Sequence, residues 1–155
     1  MSSNLRSRTI RLAHANPELR SHLLPLLTKV AAAVNVHGKH VLGAAMVDVN
    51  AKVYGRAKVS EYVIVRGTAE VYGDARVYGD VTVGGDAHVY GDAKVYGFAQ
   101  VYGDAHVYGD AKVYGRAHVY GDANISGTAI ITGGNWDGSE GPITKGTWKS
   151  PGVRG

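Results

Sequence analysis

At 155 residues and a net charge of +4, the chain is one domain's length, and its lack of cysteine excludes disulfides and thiolate metal sites. No apolar run reaches the roughly 20 residues that cross a bilayer as a helix, so no transmembrane segment is expected. The 22 glycines recur at a fixed period, which makes the low complexity architectural.

The charge is unevenly placed. Residues 1–40 hold six Lys/Arg against one acid, Glu18, for +5, and the remainder holds eleven against twelve, for −1. The basic character therefore belongs to an N-terminal arm. Within residues 1–15, Arg6, Arg8 and Arg11 surround Leu5, Thr9, Leu12 and Ala13, which fall at helical spacing. Such an arm suits docking to an acidic or anionic surface of a larger assembly. Nucleic acid fits poorly, because no aromatic is interleaved with the arginines. An Arg- and Ser-rich, acid-poor start also fits an organellar transit sequence. Asn16-Pro17-Glu18 then reads as a helix start: Asn caps, Pro suits the first helical position and Glu the first turn. Leu19, Leu23, Leu27, Val30 and Val34 share one helical face, Pro25 interrupts it and Gly38 stops it. Residues 16–40 are expected to form a helical cap on the element that follows.

From Val41 to Ile131 an aliphatic residue recurs at every sixth position, and the commonest wording around it is Ala-x-Val-Tyr-Gly-Asp, as in Ala105–Asp110. Residues two apart on a strand share a side, so the Ala and the Val both point inward. The residue between them and the Tyr after the Val point outward. Gly then gives the backbone its freedom at a corner, and Asp tolerates the dihedrals beside it. Three hexapeptides make an 18-residue triangular coil, so residues 41–134 are expected to wind about five coils, a prism roughly 25 Å long at ~4.8 Å per coil.

This wording resembles the Tyr-Gly-Asp-Ala subclass of the hexapeptide-repeat family, over residues 41–131. The resemblance implies an all-β solenoid, a left-handed parallel β-helix, in a chain that often forms homotrimers. Ile10–Leu27 also resembles N-terminal leaders of large phages and environmental bacteria.

An 18-residue return stacks outward residues into columns. Tyr54, Tyr72, Tyr90 and Tyr108 stack on one side, beside Lys52, Glu70, His88 and His106. Tyr78, Tyr96 and Tyr114 stack on the next, beside Lys58, Arg76, Lys94 and Lys112, and Tyr102 and Tyr120 lie on the third. Such columns support themselves through aromatic stacking or present a surface to a partner. The basic column places like charges about 5 Å apart, which calls for corner acids such as Asp80 or an acidic partner. Phe98 stands where the repeat has Asp, and is expected to be an exposed contact residue.

The enzymes of the resembled family are acyltransferases, which need a catalytic His on an extruded loop, and carbonic anhydrases, which hold zinc with three His across a subunit boundary. This repeat has no insertion, and His88, His106 and His118 occupy an outward slot that elsewhere holds Lys, Arg, Glu, Gln or Thr. The Asp74/Asp92/Asp110 and Asp86/Asp104/Asp122 columns read as turn formers rather than a calcium site. No cofactor, metal or catalytic residue is expected. A trimeric carbonic anhydrase-like or acyltransferase-like enzyme is the alternative.

The period stops at Gly133-Gly134. Residues 135–155 are expected to be a cap or docking tail, with Trp136 and Ile143 covering the last coil and Trp148 as a partner anchor. The whole reads as a non-enzymatic structural or interaction protein, docking through its arm or tail. The compartment stays open between a phage virion or cell surface and the cytoplasm.

Overall fold

The computed structural model describes residues 40–150 and the backbone of residues 153–154. The arm of Arg6, Arg8 and Arg11 and the helical cap expected before His40 lie outside them. Among the described residues there is no helix: two-residue strands recur every six residues from Met46–Val47 to Ile130–Ile131. They stack into three parallel sheets of six, five and seven strands, the last including an antiparallel pair at its C-terminal end, Thr147–Ser150 with Val153–Arg154.

Each strand pairs with the one 18 residues on, as Lys94 with Lys112 and Val95 with Val113. The ladder is made of backbone bonds between coils: the Lys94 amide donates to the Ala111 carbonyl at 2.9 Å and the Tyr96 amide to the Val113 carbonyl at 2.9 Å. No coil therefore satisfies its own backbone, and each depends on its neighbours.

The inward assignment holds along the repeat. The aliphatic and Ala positions from Val47 to Ile131 are buried and form one narrow core, with Val41 and Ala45 packed against its first coil. The corners explain why Gly is needed. Gly91 has φ 69°, and a Cβ there would lie 2.9 Å from the amide nitrogen of Gly109 on the next coil. Both the left-handed conformation and the coil spacing demand a bare Cα. Glu61 takes the same conformation without being glycine, at φ 65°.

The expectation of about five coils ending near residue 134 is one short. The coil winds on for about six turns. Asn135–Trp136 pairs with His118–Val119, Ile143 bridges to Ile125, and Thr147–Trp148 pairs with Ile130–Ile131. The spacing between inward residues changes there from a steady six to five (131 to 136), seven (136 to 143) and five (143 to 148). Gly133-Gly134 tightens one corner and residues 137–142 lengthen the next, so the period is lost although the coil is not.

Candidate interaction surfaces

The three sides of the coil differ in their outward chemistry. The first carries the outward column Lys52, Glu70, His88, His106 and Asn124. Beside it Tyr54, Tyr72, Tyr90 and Tyr108 stack with ring centroids 4.9–5.0 Å apart and planes within 4° of parallel. His88 and His106 stack likewise at 5.0 Å, and each meets a tyrosine edge-on at 6.3 Å. At the N-terminal end Glu70 accepts hydrogen bonds from Lys52 and from the Tyr54 hydroxyl, both at 2.8 Å. These two bonds, with Lys52 first, hold the Glu70 carboxyl below its ordinary pKa. Burial, then the bond to Glu70, pushes the Tyr54 phenol up to about 12.

The second side carries Lys58, Arg76, Lys94 and Lys112, and ends in Ile130 and Thr147. Tyr78, Tyr96 and Tyr114 stack next to them at 4.8–5.0 Å. Two ion pairs form among the described residues, Lys52–Glu70 at 2.8 Å and Arg56–Asp74 at 2.7 Å, and neither belongs to this basic column. The carboxylates beside the column are the corner row Asp74, Asp92 and Asp110, with which Arg76, Lys94 and Lys112 line a groove of about 430 Å³ closed by Thr128 and Ile130. Asp80, expected as a counter-charge, sits at a different corner.

The third side has the outward column Met46, Ile64, Thr82, Gln100, His118 and Asn135, without a Lys, Arg, Asp or Glu. Tyr102 and Tyr120 stack at 5.3 Å beside it. At the corner leading into this side, Phe98 is 60% exposed and Tyr62, two coils before it, is 69% exposed. Tyr62 is the one tyrosine that the column reading left out. Its signal was in the sequence: it precedes Phe98 by 36 residues, two full coils, and so occupies the same Asp slot.

Seen this way, the tyrosine columns and Phe98 differ in kind. Of the column tyrosines, Tyr54 and Tyr102 count as exposed and the others are half-buried, each largely covered by its neighbours. Among the described residues, no ring stacks on Phe98 or Tyr62. The two tryptophans close the C-terminal end. Trp136 takes the inward slot with no exposed surface, and its indole N–H donates to the Gly133 carbonyl at 2.7 Å. Of the two roles expected of the tail, cap or docking contact, Trp136 takes the first: it caps the core and has no surface left for a partner. Trp148 is half-buried, packs edge-on against Trp136 at 6.1 Å and donates its indole N–H to the Lys145 carbonyl at 3.0 Å.

Within one chain, among the described residues, no three His, Asp or Glu side chains come together as a metal-binding group. His118 lies on a different side from His88 and His106.

Residues 69–85 and 99–115 match the family model described as YdcK Beta solenoid repeat. The chain carries a β-solenoid repeat. Each matched stretch is about one coil of the solenoid, and each includes strands from all three sides. No curated protein and no solved structure gives a match. None of the described residues forms a helix long and apolar enough to cross a membrane.

Proposed function

We propose that this chain is a non-enzymatic structural module, a rigid left-handed, homotrimeric β-solenoid that docks into a larger assembly such as a phage virion or a cell-surface structure. One observation carries the reading: the repeat runs from Met46 to Ile131 with strands at an unvarying six-residue spacing and no extruded loop. A deep cleft for a small substrate needs a loop that rises from the surface, and the repeat extrudes none; the groove beside Lys94 is lined only by the repeat's own outward residues. What varies along the stack is the outward chemistry, which is the part a partner meets. The N-terminal segment adds a helical cap and an arginine arm, Arg6, Arg8 and Arg11, that holds an acidic surface of the assembly.

The test has two readings, mass and metal. Sedimentation equilibrium of the full chain is expected to give three times the 16.4 kDa subunit mass, with no stoichiometric zinc by elemental analysis. In a host lysate the full chain is expected in high-mass fractions, and a chain lacking residues 1–15 at the free trimer's position. A monomeric mass would end the trimer reading. Zinc held at His88, His106 or His118 would turn the assignment to a carbonic anhydrase-like enzyme. An unshifted lysate profile after the deletion would remove the arm from docking.

A further inference from the structure

We infer that the side of the solenoid bearing Met46, Ile64 and Tyr102, edged by Tyr62 and Phe98, is the surface on which a second copy of this chain seats. The inference rests on the self-association proposed above and names its surface. Three observations carry it.

The first is where the exposed apolar side chains lie. Of the eight exposed large apolar side chains among the described residues, Met46, Ile64 and Tyr102 stand on this one side and Tyr62 and Phe98 at the corner that leads into it, whereas Leu42, Val49 and Tyr54 lie elsewhere. Met46, Tyr62 and Phe98 are each at least 60% exposed. Tyr62 and Phe98 are the places where the repeat's own wording is broken, an aromatic ring replacing the corner Asp that Asp80 keeps between them. An aromatic ring in water costs free energy that an Asp there would not, unless the ring is covered.

The second is charge. A copy packed on the basic side would set Arg76, Lys94 and Lys112 against whatever faces them, and two basic sides facing each other would repel. The outward column from Met46 to Asn135 contains no formal charge, and in the column beside it the charged residues Asp48, Arg66 and Asp137 lie toward the two ends, leaving Gly84, Tyr102 and Tyr120 between them as an uncharged centre with a polar rim. Arg116 and Asp80, in the corner row with Phe98, sit at the rim, where they can meet the opposite sign on the neighbour.

The third is area. Six coils at ~4.8 Å and a side about 15 Å wide offer on the order of 450 Å², well short of the roughly 800 Å² per partner of a stable interface. One side alone does not hold a lasting dimer. A closed ring in which each chain gives this side to one neighbour and a second patch to the other doubles the area per chain, as in the trimer proposed above.

Phe98→Asp and the double variant Tyr62→Asp/Phe98→Asp test this cleanly, because Asp is the residue the repeat itself uses at that corner. Both are expected to keep the β-rich circular dichroism and melting temperature of a folded coil. The double variant is expected to fall to the 16.4 kDa subunit mass at concentrations where the full chain is assembled. Lys94→Glu, on the basic side, is expected to leave the mass unchanged. An assembled double variant would overturn the surface while leaving the trimer intact, and so would loss of assembly in Lys94→Glu alone. A full chain that is monomeric throughout would overturn both readings. If in addition removing residues 1–39 made it associate, the occupant of the side would be the chain's own N-terminal segment.

Discussion

A β-carbon is what the corners of this solenoid cannot hold. At Gly91 the positive φ excludes most side chains, and the neighbouring coil's backbone excludes the rest. Gly91→Ala is expected to cost at least ~1–2 kcal/mol, since the left-handed conformation is unfavourable for alanine and the clash at 2.9 Å is with backbone that cannot turn away. Chemical denaturation of the variant beside the parent measures it, and a loss below a few tenths would mean the coils breathe enough to admit a methyl. Glu61 shows one corner living with the conformational part of this cost. The corner Asp is more permissive, because its side chain faces solvent, and that is why Tyr62 and Phe98 can stand in its place.

At the scale of the column, the tyrosines bind the coils together from outside. Burial raises the phenol pKa of Tyr72, Tyr90 and Tyr96, with the neighbouring acidic or phenolic groups adding to it, and Tyr54 is pushed up to about 12. The folded pKa lies above the unfolded value of 10.0, so the folded state holds these protons more tightly. The stability they contribute is fully present below pH 10 and is lost as the pH rises through the folded values. Melting temperature is therefore expected to be level up to about pH 10 and to fall steeply from there toward pH 12. Tyrosinate absorbance at 295 nm is expected to lag behind that of a free tyrosine and then rise with unfolding. A titration indistinguishable from free tyrosine would mean that the rings are solvated and the columns open. Glu70 has the opposite sign: held below its ordinary value by Lys52 and Tyr54, it contributes stability at neutral pH that disappears in acid. Because Lys52 is largely exposed, that contribution is small.

At the scale of the molecule, stability is close to a sum of coil-on-coil terms, and a break in the middle is worse than one at an end. Val95 is fully buried in the central part of the stack. A carboxylate at that position has no partner and no water, so Val95→Asp is expected to unfold several coils, with the loss of β circular dichroism and of a cooperative melt. An unchanged melt would place Val95 outside the core. The C-terminal end is guarded differently. Trp136 fills a slot that Val119 fills one coil earlier, and a large ring there covers the aliphatic file that would otherwise meet solvent. Trp136→Ala is expected to cost ~3–5 kcal/mol, felt first by the last coil. Hydrogen exchange of the Tyr120 amide, which donates to the Trp136 carbonyl, reports it, and the amides near Val95 are expected to stay protected.

The repeat alone determined the inward file, the 18-residue return and the three outward columns, because a solenoid's contacts are between residues at a constant separation. For Val95 and Val113, or Tyr72 and Tyr90, reading the period is reading the contact map. Where the separation changes the sequence lost its power: Trp136, Ile143 and Trp148 continue the coil at spacings of five, seven and five, and only the backbone ladder to Val119, Ile125 and Ile131 reveals it. The sequence also placed the tyrosines side by side without fixing how open they are. The exposure of Phe98, and of Tyr62 in the same Asp slot, was legible in the repeat; only the tertiary structure decided that most of the column tyrosines spend their ring faces on one another, because stacking closes over a ring only where the next coil sets a second ring at the same height.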